Sequence, residues 1–270
     1  MSAFSDTGQT LKKDGIAPRV NPAALVVVPG GAILFFSERN DAIMLTKRLA
    51  ACAALVTPGG VVCDVGTDHA YLPAELLRRG QCTRAVATDI HAGPLEAAKR
   101  TLTEAGVLEQ AELFLCDGLA QVQPEGITDV VIAGMGGETI CAIMAAAPWL
   151  QEGRRLILQP QSKVAELVDW LWRSGFTIED AALCHDSGKR YLALCVLGRS
   201  SDRPCTVEQL LLRRADPLLP EYLTDEIGRQ TRARAGMAHA KQTPEAALAA
   251  LDARLNELQT CLKEVESWQP

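Results

Sequence analysis

The sequence predicts an α/β fold: a Rossmann-like sheet, mostly parallel, followed by a C-terminal helical hairpin. Three observations carry this. Short apolar runs alternate with helical patterns from about residue 46 to residue 198. Successive runs end in Asp or Gly, where open α/β sheets bind their ligands. From Thr206 onward only helical periodicity is left.

Residues 1–43 have scattered Pro and Gly and no clear period. They are expected to form a poorly ordered N-terminal extension. Within them Ala23 to Phe36 imitates a signal-peptide core, but Pro29-Gly30-Gly31 interrupts it and it is too short to span a bilayer. A helix begins at Thr46 and ends before Gly59-Gly60. Val61 to Val65 reads as a buried strand, Ala70 to Arg79 as a helix closed by Gly80, and Arg84 to Asp89 as a second strand. Pro94 to Ala105 reads as a helix closed by Gly106, and Ala111 to Cys116 as a third strand. Asp129 to Ala133 is a fourth strand, Thr139 to Leu150 a helix, Arg155 to Gln159 a fifth strand and Val164 to Ser174 a helix. Thr177 to His185 and Tyr191 to Leu197 flank the turn Asp186-Ser187-Gly188. This hairpin puts one antiparallel strand in an otherwise parallel sheet.

The helical part is expected over residues 201–270, after a Rossmann-like domain at 44–200. Thr206 with Gln209 forms a capping-box pattern. Thr243-Pro244 starts the last helix. Leu248, Leu251, Leu255, Leu258, Leu262 and Val265 then make an a/d seam, which calls for a partner at about Glu221 to Lys241.

Composition narrows the function. The chain has 270 residues and a net charge of −6, which excludes a globally basic nucleic-acid binder and leaves room for a local basic face. Nine cysteines without a Cys-x-x-Cys pair or zinc-like spacing read as reduced core residues, with no metal. No later stretch reaches about 18 uninterrupted apolar residues, so a soluble, cytoplasmic protein without membrane contact is expected.

Four motifs carry the chemistry. Asp64-Val65-Gly66-Thr67-Asp68-His69 ends the first strand, with Gly66 giving the tight turn a cofactor needs. On Gly66 alone, an ordinary strand-to-helix turn serves equally. Asp89 ends the second strand, where a carboxylate accepts from ribose hydroxyls; a loop acid or N-cap is the plain alternative. Asp117-Gly118 follows the third, where the acid would accept from an adenine amino group or simply form a turn. Ile132-Ala133-Gly134-Met135-Gly136-Gly137 follows the fourth, where three glycines admit a flat group or serve packing alone. Three acid-ended strands suit a sulfonium cofactor bearing ribose and adenine. A pyrophosphate would call for a glycine-rich helix start, and the later glycines of that fingerprint are replaced by Asp68 and Ala70.

Together these positions resemble the bacterial tRNA (adenine-22-N1)-methyltransferase family. The matching pieces are Leu45-Thr46-Lys47-Arg48-Leu49, Asp64 to Pro73, Gly93-Pro94, Gly118-Leu119, Ile132 to Gly137, Leu156-Ile157-Leu158-Gln159-Pro160 and Gly188-Lys189-Arg190-Tyr191. The likeness spans about Met44 to Gly198. Two departures stand out: Gln161 occupies the place of the family's usual Asn, and the first 43 residues are extra.

The resemblance implies S-adenosylmethionine as cofactor, tRNA as partner and methyl transfer to N1 of an adenine, adenine 22 in particular. The expected cofactor residues are Asp64, Gly66, Asp68, His69, Tyr71, Asp89, Asp117, Gly118, Gly134 and Met135. Gly136 and Gly137 would face the substrate. Asp68, Gln159 and Gln161 are the catalytic candidates, the glutamines as hydrogen-bond partners of the target base. Arg229, Arg232 and Arg234 would meet phosphates, from an acid-free stretch at 227–243 that also holds Lys241. Lys47, Arg48, Lys189 and Arg190 would extend that track. Oligomeric state stays open, with a monomer favoured. The alternatives are a methyltransferase for another RNA, a protein or a small molecule, and a non-catalytic RNA- or partner-binding protein.

Overall fold

The computed structural model describes residues 26–27, 33–34, 43–198, 205–238 and 245–267. The chain divides into two compact units, 1–42 and 43–270. In the first, β1 (Val26–Val27) pairs antiparallel with β2 (Ile33–Leu34), one on each side of the Pro-Gly-Gly break. The expected disorder of the rest of this extension lies outside the described residues.

The second unit opens with α1 (Lys47–Ala53), capped by the Thr46 hydroxyl, which accepts from the Leu49 amide. Then β3 (Gly60–Val65), α2 (Tyr71–Arg78), β4 (Cys82–Asp89), α3 (Ala92–Glu104) and β5 (Ala111–Leu115) build one half of a sheet. β6 (Asp129–Gly136), α4 (Gly137–Ala145), β7 (Arg155–Ser162), α5 (Val164–Arg173), β8 (Phe176–Asp186) and β9 (Lys189–Gly198) build the other. The strand order is β5-β4-β3-β6-β7-β9-β8. Only β9 runs against its neighbours, β7 and β8, which is the single antiparallel strand expected. The chain winds outward from β3 and then returns to its other side at β6. That reversal is the topological switch point where such sheets bind ligands, and it sets the loops after β3 and β6 side by side.

The strands are nearly continuous apolar runs because both faces are covered. Cys63, Val65, Val130, Ile132, Leu156 and Leu158 face a core shared with α4, α5 and the C-terminal helices. Val62, Val131 and Ile157 face the other core, with α1, α2 and α3. Two boundaries differ from expectation. β6 runs on to Gly136, with register shifts against β7 after Ala133. The helix expected to reach Leu150 stops at Ala145, because Pro148 disfavours helical backbone at Ala147, whose φ and ψ are −125° and 74°.

Beyond the sheet come α6 (Val207–Arg213), α7 (Leu219–Ala238) and α8 (Glu245–Glu266). The Thr206–Gln209 capping box is present in both directions. Leu255, Leu258 and Val265 of the leucine seam are buried, and Leu248, Leu251 and Leu262 are half-buried. The expected start at Thr243-Pro244 lies outside the described residues. Val207, Leu211, Leu219, Leu223 and Leu258 join the same apolar cluster as the sheet, so these helices share its core. Buried Glu208 ties them together, accepting from Arg254 at 2.7 Å and from the Tyr222 hydroxyl at 3.3 Å. All nine cysteines are free thiols. Burial pushes Cys82 and Cys195 up to about 11 and Cys52 to about 12, which keeps them neutral.

Candidate active site

The site lies at the C-terminal ends of β3, β4, β6 and β7. On the β3 side, Asp64 is buried and accepts from the Thr67 hydroxyl at 2.6 Å. Burial pushes its carboxyl up to about 6, opposed by the Thr67 bond and by the Arg48 guanidinium. Gly66 turns the chain at φ +69°, and a Cβ there would strike the Met135 methyl. The amides of Gly66 and Thr67 both donate to the Thr88 carbonyl, at 2.8 and 2.9 Å, which fastens this loop to β4. Asp68 and Ala70 also sit at positive φ, 54° and 53°, so the loop holds an uncommon backbone for non-glycine residues.

Asp89 organises the next strand end. One oxygen accepts from the His91 amide at 2.9 Å and the other from the Asp68 amide at 3.3 Å, which joins the first two acid-ended loops. Ile90, directly after it, is 57% exposed, an apolar face beside a carboxylate. His69 and Tyr71 stack with ring centroids 5.3 Å apart at the mouth of the same loop. Beyond β5, Asp117 is exposed and Gly118 is buried, its carbonyl accepting from the Thr88 hydroxyl at 2.8 Å. The first three strand-end acids therefore stand at the C-terminal ends of neighbouring strands, Asp64 buried and Asp117 exposed. Asp68, expected both for the cofactor and for catalysis, belongs to this loop and lies 3.6 Å from His69.

On the β6 side the chemistry differs. Gly134 sits at φ +83° and its amide donates to the Gln159 Oε1 at 3.1 Å. Arg48, from α1, donates to the same oxygen at 2.8 Å. The Gln159 Nε2 donates to the Pro160 carbonyl at 3.1 Å, so this fully buried amide has both ends engaged and acts as a brace. That is a different position from the base-facing one expected of it. Gln161 is exposed, and its Nε2 lies 3.6 Å from where a Cβ on Gly134 would stand. Gly136 and Gly137 pack α4 against the end of β7: a Cβ on Gly137 would lie 2.5 Å from the Lys163 carbonyl oxygen. Space for the chain itself explains Gly137.

Sequence reasoning placed Arg48 only on an electrostatic track. In the structure its guanidinium meets Gln159, lies 6.0 Å from the Tyr191 ring centroid, and its amide donates to Asp186 at 3.2 Å. The Leu-Thr-Lys-Arg-Leu run pointed to the residue, but no local signal pairs it with a glutamine 111 positions away. Along α7, Arg229 pairs with Glu226 and Arg234 with Asp252 of α8, while Arg232 has no acidic partner among the described residues. Lys241 lies outside them. Among the described residues no cluster of His, Cys, Asp or Glu is placed to hold a metal, and no helix is long and apolar enough to cross a membrane.

A sheet of this order, reversed in one strand and opening through acids beside a glycine-rich loop, defines a Rossmann-like methyltransferase. Residues 45–194 match the methyltransferase domain family. The tRNA (adenine(22)-N(1))-methyltransferase of Bacillus subtilis is 31% identical over 185 residues, covering 68% of this chain and 76% of that protein. The crystal structure of the B. subtilis M1A22 tRNA methyltransferase TrmK superposes with a TM-score of 0.69 at 26% identity, covering 82% of this chain and 99% of that one. Streptococcus pneumoniae Sp1610, in complex with S-adenosyl-L-methionine, gives 0.67 at 28% identity, covering 81% and 100%. The chain belongs to the tRNA (adenine-22-N1)-methyltransferase family.

Proposed function

We propose that this chain transfers a methyl group from S-adenosylmethionine to N1 of adenine 22 in tRNA. The observation that carries it is the pairing of strand-end acids at β3–β5, with Asp89 tied to the Asp68 amide, with the glycine-rich end of β6 braced by Gln159 across the switch point. Family membership supplies the acceptor.

The parts divide as follows. Asp89 accepts from ribose hydroxyls and Asp117 from the adenine amino group, with Ile90 against the adenine face. Gly66, Asp68, His69 and Tyr71 wall the amino-acid end, with Asp64 beneath them. When bound, the cofactor supplies an electrophilic methyl. Adenine N1 carries an in-plane lone pair, so the chain needs no strong base; it aligns the base and excludes water. Gly134, Met135 and Gly136 give the base its approach, Gln161 offers a hydrogen bond to its edge, and Gln159 holds the loop at the right height. N1 lies on the pairing edge, so the adenosine must leave its stack.

In this reading residues 1–43 are an extension outside the catalytic part, 44–200 the methyltransferase domain and 201–270 an arm whose α7 cations meet tRNA phosphates. The protein works in the cytoplasm, as a monomer. The test is nucleoside mass spectrometry of tRNA from cells lacking the protein. Loss of 1-methyladenosine supports the reading, and an unchanged level defeats it. Label passing from S-adenosylmethionine to protein extract instead of tRNA would favour the other acceptor classes.

A further inference from the structure

A cleft of about 530 Å³ opens between the ends of β7 and β9 and the face of α7. That volume lies inside the roughly 300–1,000 Å³ range of small-ligand sites. Its cations are of two kinds. Arg190 is bound to Glu221 and Asp225, both at 2.7 Å, and Arg229 to Glu226. Lys189 and Arg232 line the same cleft, are exposed, and have no acidic partner among the described residues. Two free cations from different elements thus share one hollow.

The α7 wall is bare where it faces them. Gly228 stands inside a 20-residue helix, where glycine is a poor helix former. A Cβ there would meet only the Arg232 guanidinium, at 3.5 Å, so packing does not demand glycine. The opposite wall holds Tyr191, the ring that Arg48 approaches at 6.0 Å. Arg48 grips Gln159, and Gln159 grips the Gly134 amide. Gln161 lines the cleft and also stands within reach of Gly134. Gln161 and the Tyr191–Arg48–Gln159 chain therefore connect the hollow to the Gly134 loop.

We propose that this cleft holds the nucleotide adjoining the target adenosine, its base against Tyr191 and its phosphate between Lys189 and Arg232. The proposal rests on the tRNA reading above. An adenosine drawn out of its stack strains the backbone on both sides, and an enzyme that grips the neighbouring nucleotide holds the extruded one in place. One aromatic face gives such a grip for any base, and two cations at one hollow suit one phosphodiester. Filling the hollow presses on Tyr191 and so fixes Arg48, Gln159 and the Gly134 loop for the transfer.

The experiment compares the full chain with Gly228→Leu, Tyr191→Leu, Tyr191→Phe and the double variant Lys189→Ala/Arg232→Ala. For each, KM and kcat on tRNA, the salt dependence of tRNA binding, and S-adenosylhomocysteine affinity are measured. Gly228→Leu, a helix-favouring change that fills the hollow and keeps every charge, is expected to raise the tRNA KM about tenfold and, by keeping the phosphate from Lys189 and Arg232, to flatten the salt slope as well. Tyr191→Leu should raise KM likewise and Tyr191→Phe should restore it. The double variant should flatten the log–log salt slope by about 0.7–0.9, the share of one phosphate. S-adenosylhomocysteine binding should hold in all four. A wild-type chain inactive on tRNA defeats the underlying reading. An active wild type with Gly228→Leu at wild-type KM and kcat overturns the cleft proposal. So does a Tyr191→Leu variant that loses cofactor binding while Gly228→Leu stays normal, because Tyr191 is then only a support.

Discussion

On one side of the β3–β6 boundary the strands end in carboxylates, Asp64 held by the Thr67 hydroxyl and Asp89 by backbone amides; on the other, glycine and a glutamine are held together with a guanidinium. Asp89 accepts from two loop amides. Gln159 accepts from Arg48 and from Gly134. In the proposed function the first arrangement presents acceptors to hydroxyls and to a cationic sulfonium. The second removes side chains from the surface, so that a flat base can reach the backbone. Under that function the sheet carries two specificities on adjacent loops, one read by charge and one by vacancy, and each is expected to break without the other.

The largest expected effect is on the acidic side. Burial raises Asp64 from 3.8 to about 6. Without cofactor the folded chain then binds more protons than the unfolded one between pH about 4 and 6. This group's contribution to stability is greatest below that window and falls as pH rises through it. The shift corresponds to about 3 kcal/mol at most. Asp64→Asn keeps an acceptor for Thr67 and should be more stable than wild type by about 1–3 kcal/mol at pH 8. It should also lack the slope from pH 4 to 6. Chemical denaturation across pH reads both.

Next, Asp89→Ala should weaken S-adenosylhomocysteine binding by about 1–3 kcal/mol, the scale of a lost hydrogen bond to a charged group. Calorimetry checks this, and unchanged affinity would remove Asp89 from the ribose site. The basic side should be untouched by it. Conversely, replacing Arg229, Arg232 and Arg234 by Ala should lower tRNA affinity most at low salt and flatten the salt slope. Arg232 should account for most of that, since Glu226 and Asp252 already hold the other two. Cofactor affinity should stay within about 0.5 kcal/mol of wild type, as for separate sites. The smallest effect is expected from a chain starting at Met44. Residues 1–42 form a unit of their own, so the shortened protein should fold and methylate tRNA. Aggregation or lost cofactor binding would return those residues to the fold.

The strand order's one reversal was legible because the Asp186-Ser187-Gly188 turn is too short for anything but a hairpin. The capping box was legible because it is local, four residues from end to end. What escaped was set by distant partners. Nothing near Gln159 in sequence announces that Arg48 will occupy its oxygen, so an amide that looked free for a base proved to be a brace. The stretch after Ile227 looked like an uncompensated basic face because its acids come from elsewhere, Asp252 from α8 and Glu226 from the preceding turn. Ala147 shows the opposite failure, a local signal passed over: the proline after it was in plain view and ends the helix early.

The central claim, methyl transfer to one adenine of tRNA at the boundary between these two loops, is tested most directly with purified protein and two transcripts. One carries adenine at position 22 and the other guanine there, both incubated with labelled S-adenosylmethionine and digested for nucleoside mass spectrometry. The account predicts 1-methyladenosine from the first and none from the second. Equal methylation of both transcripts, or label in neither, would contradict it.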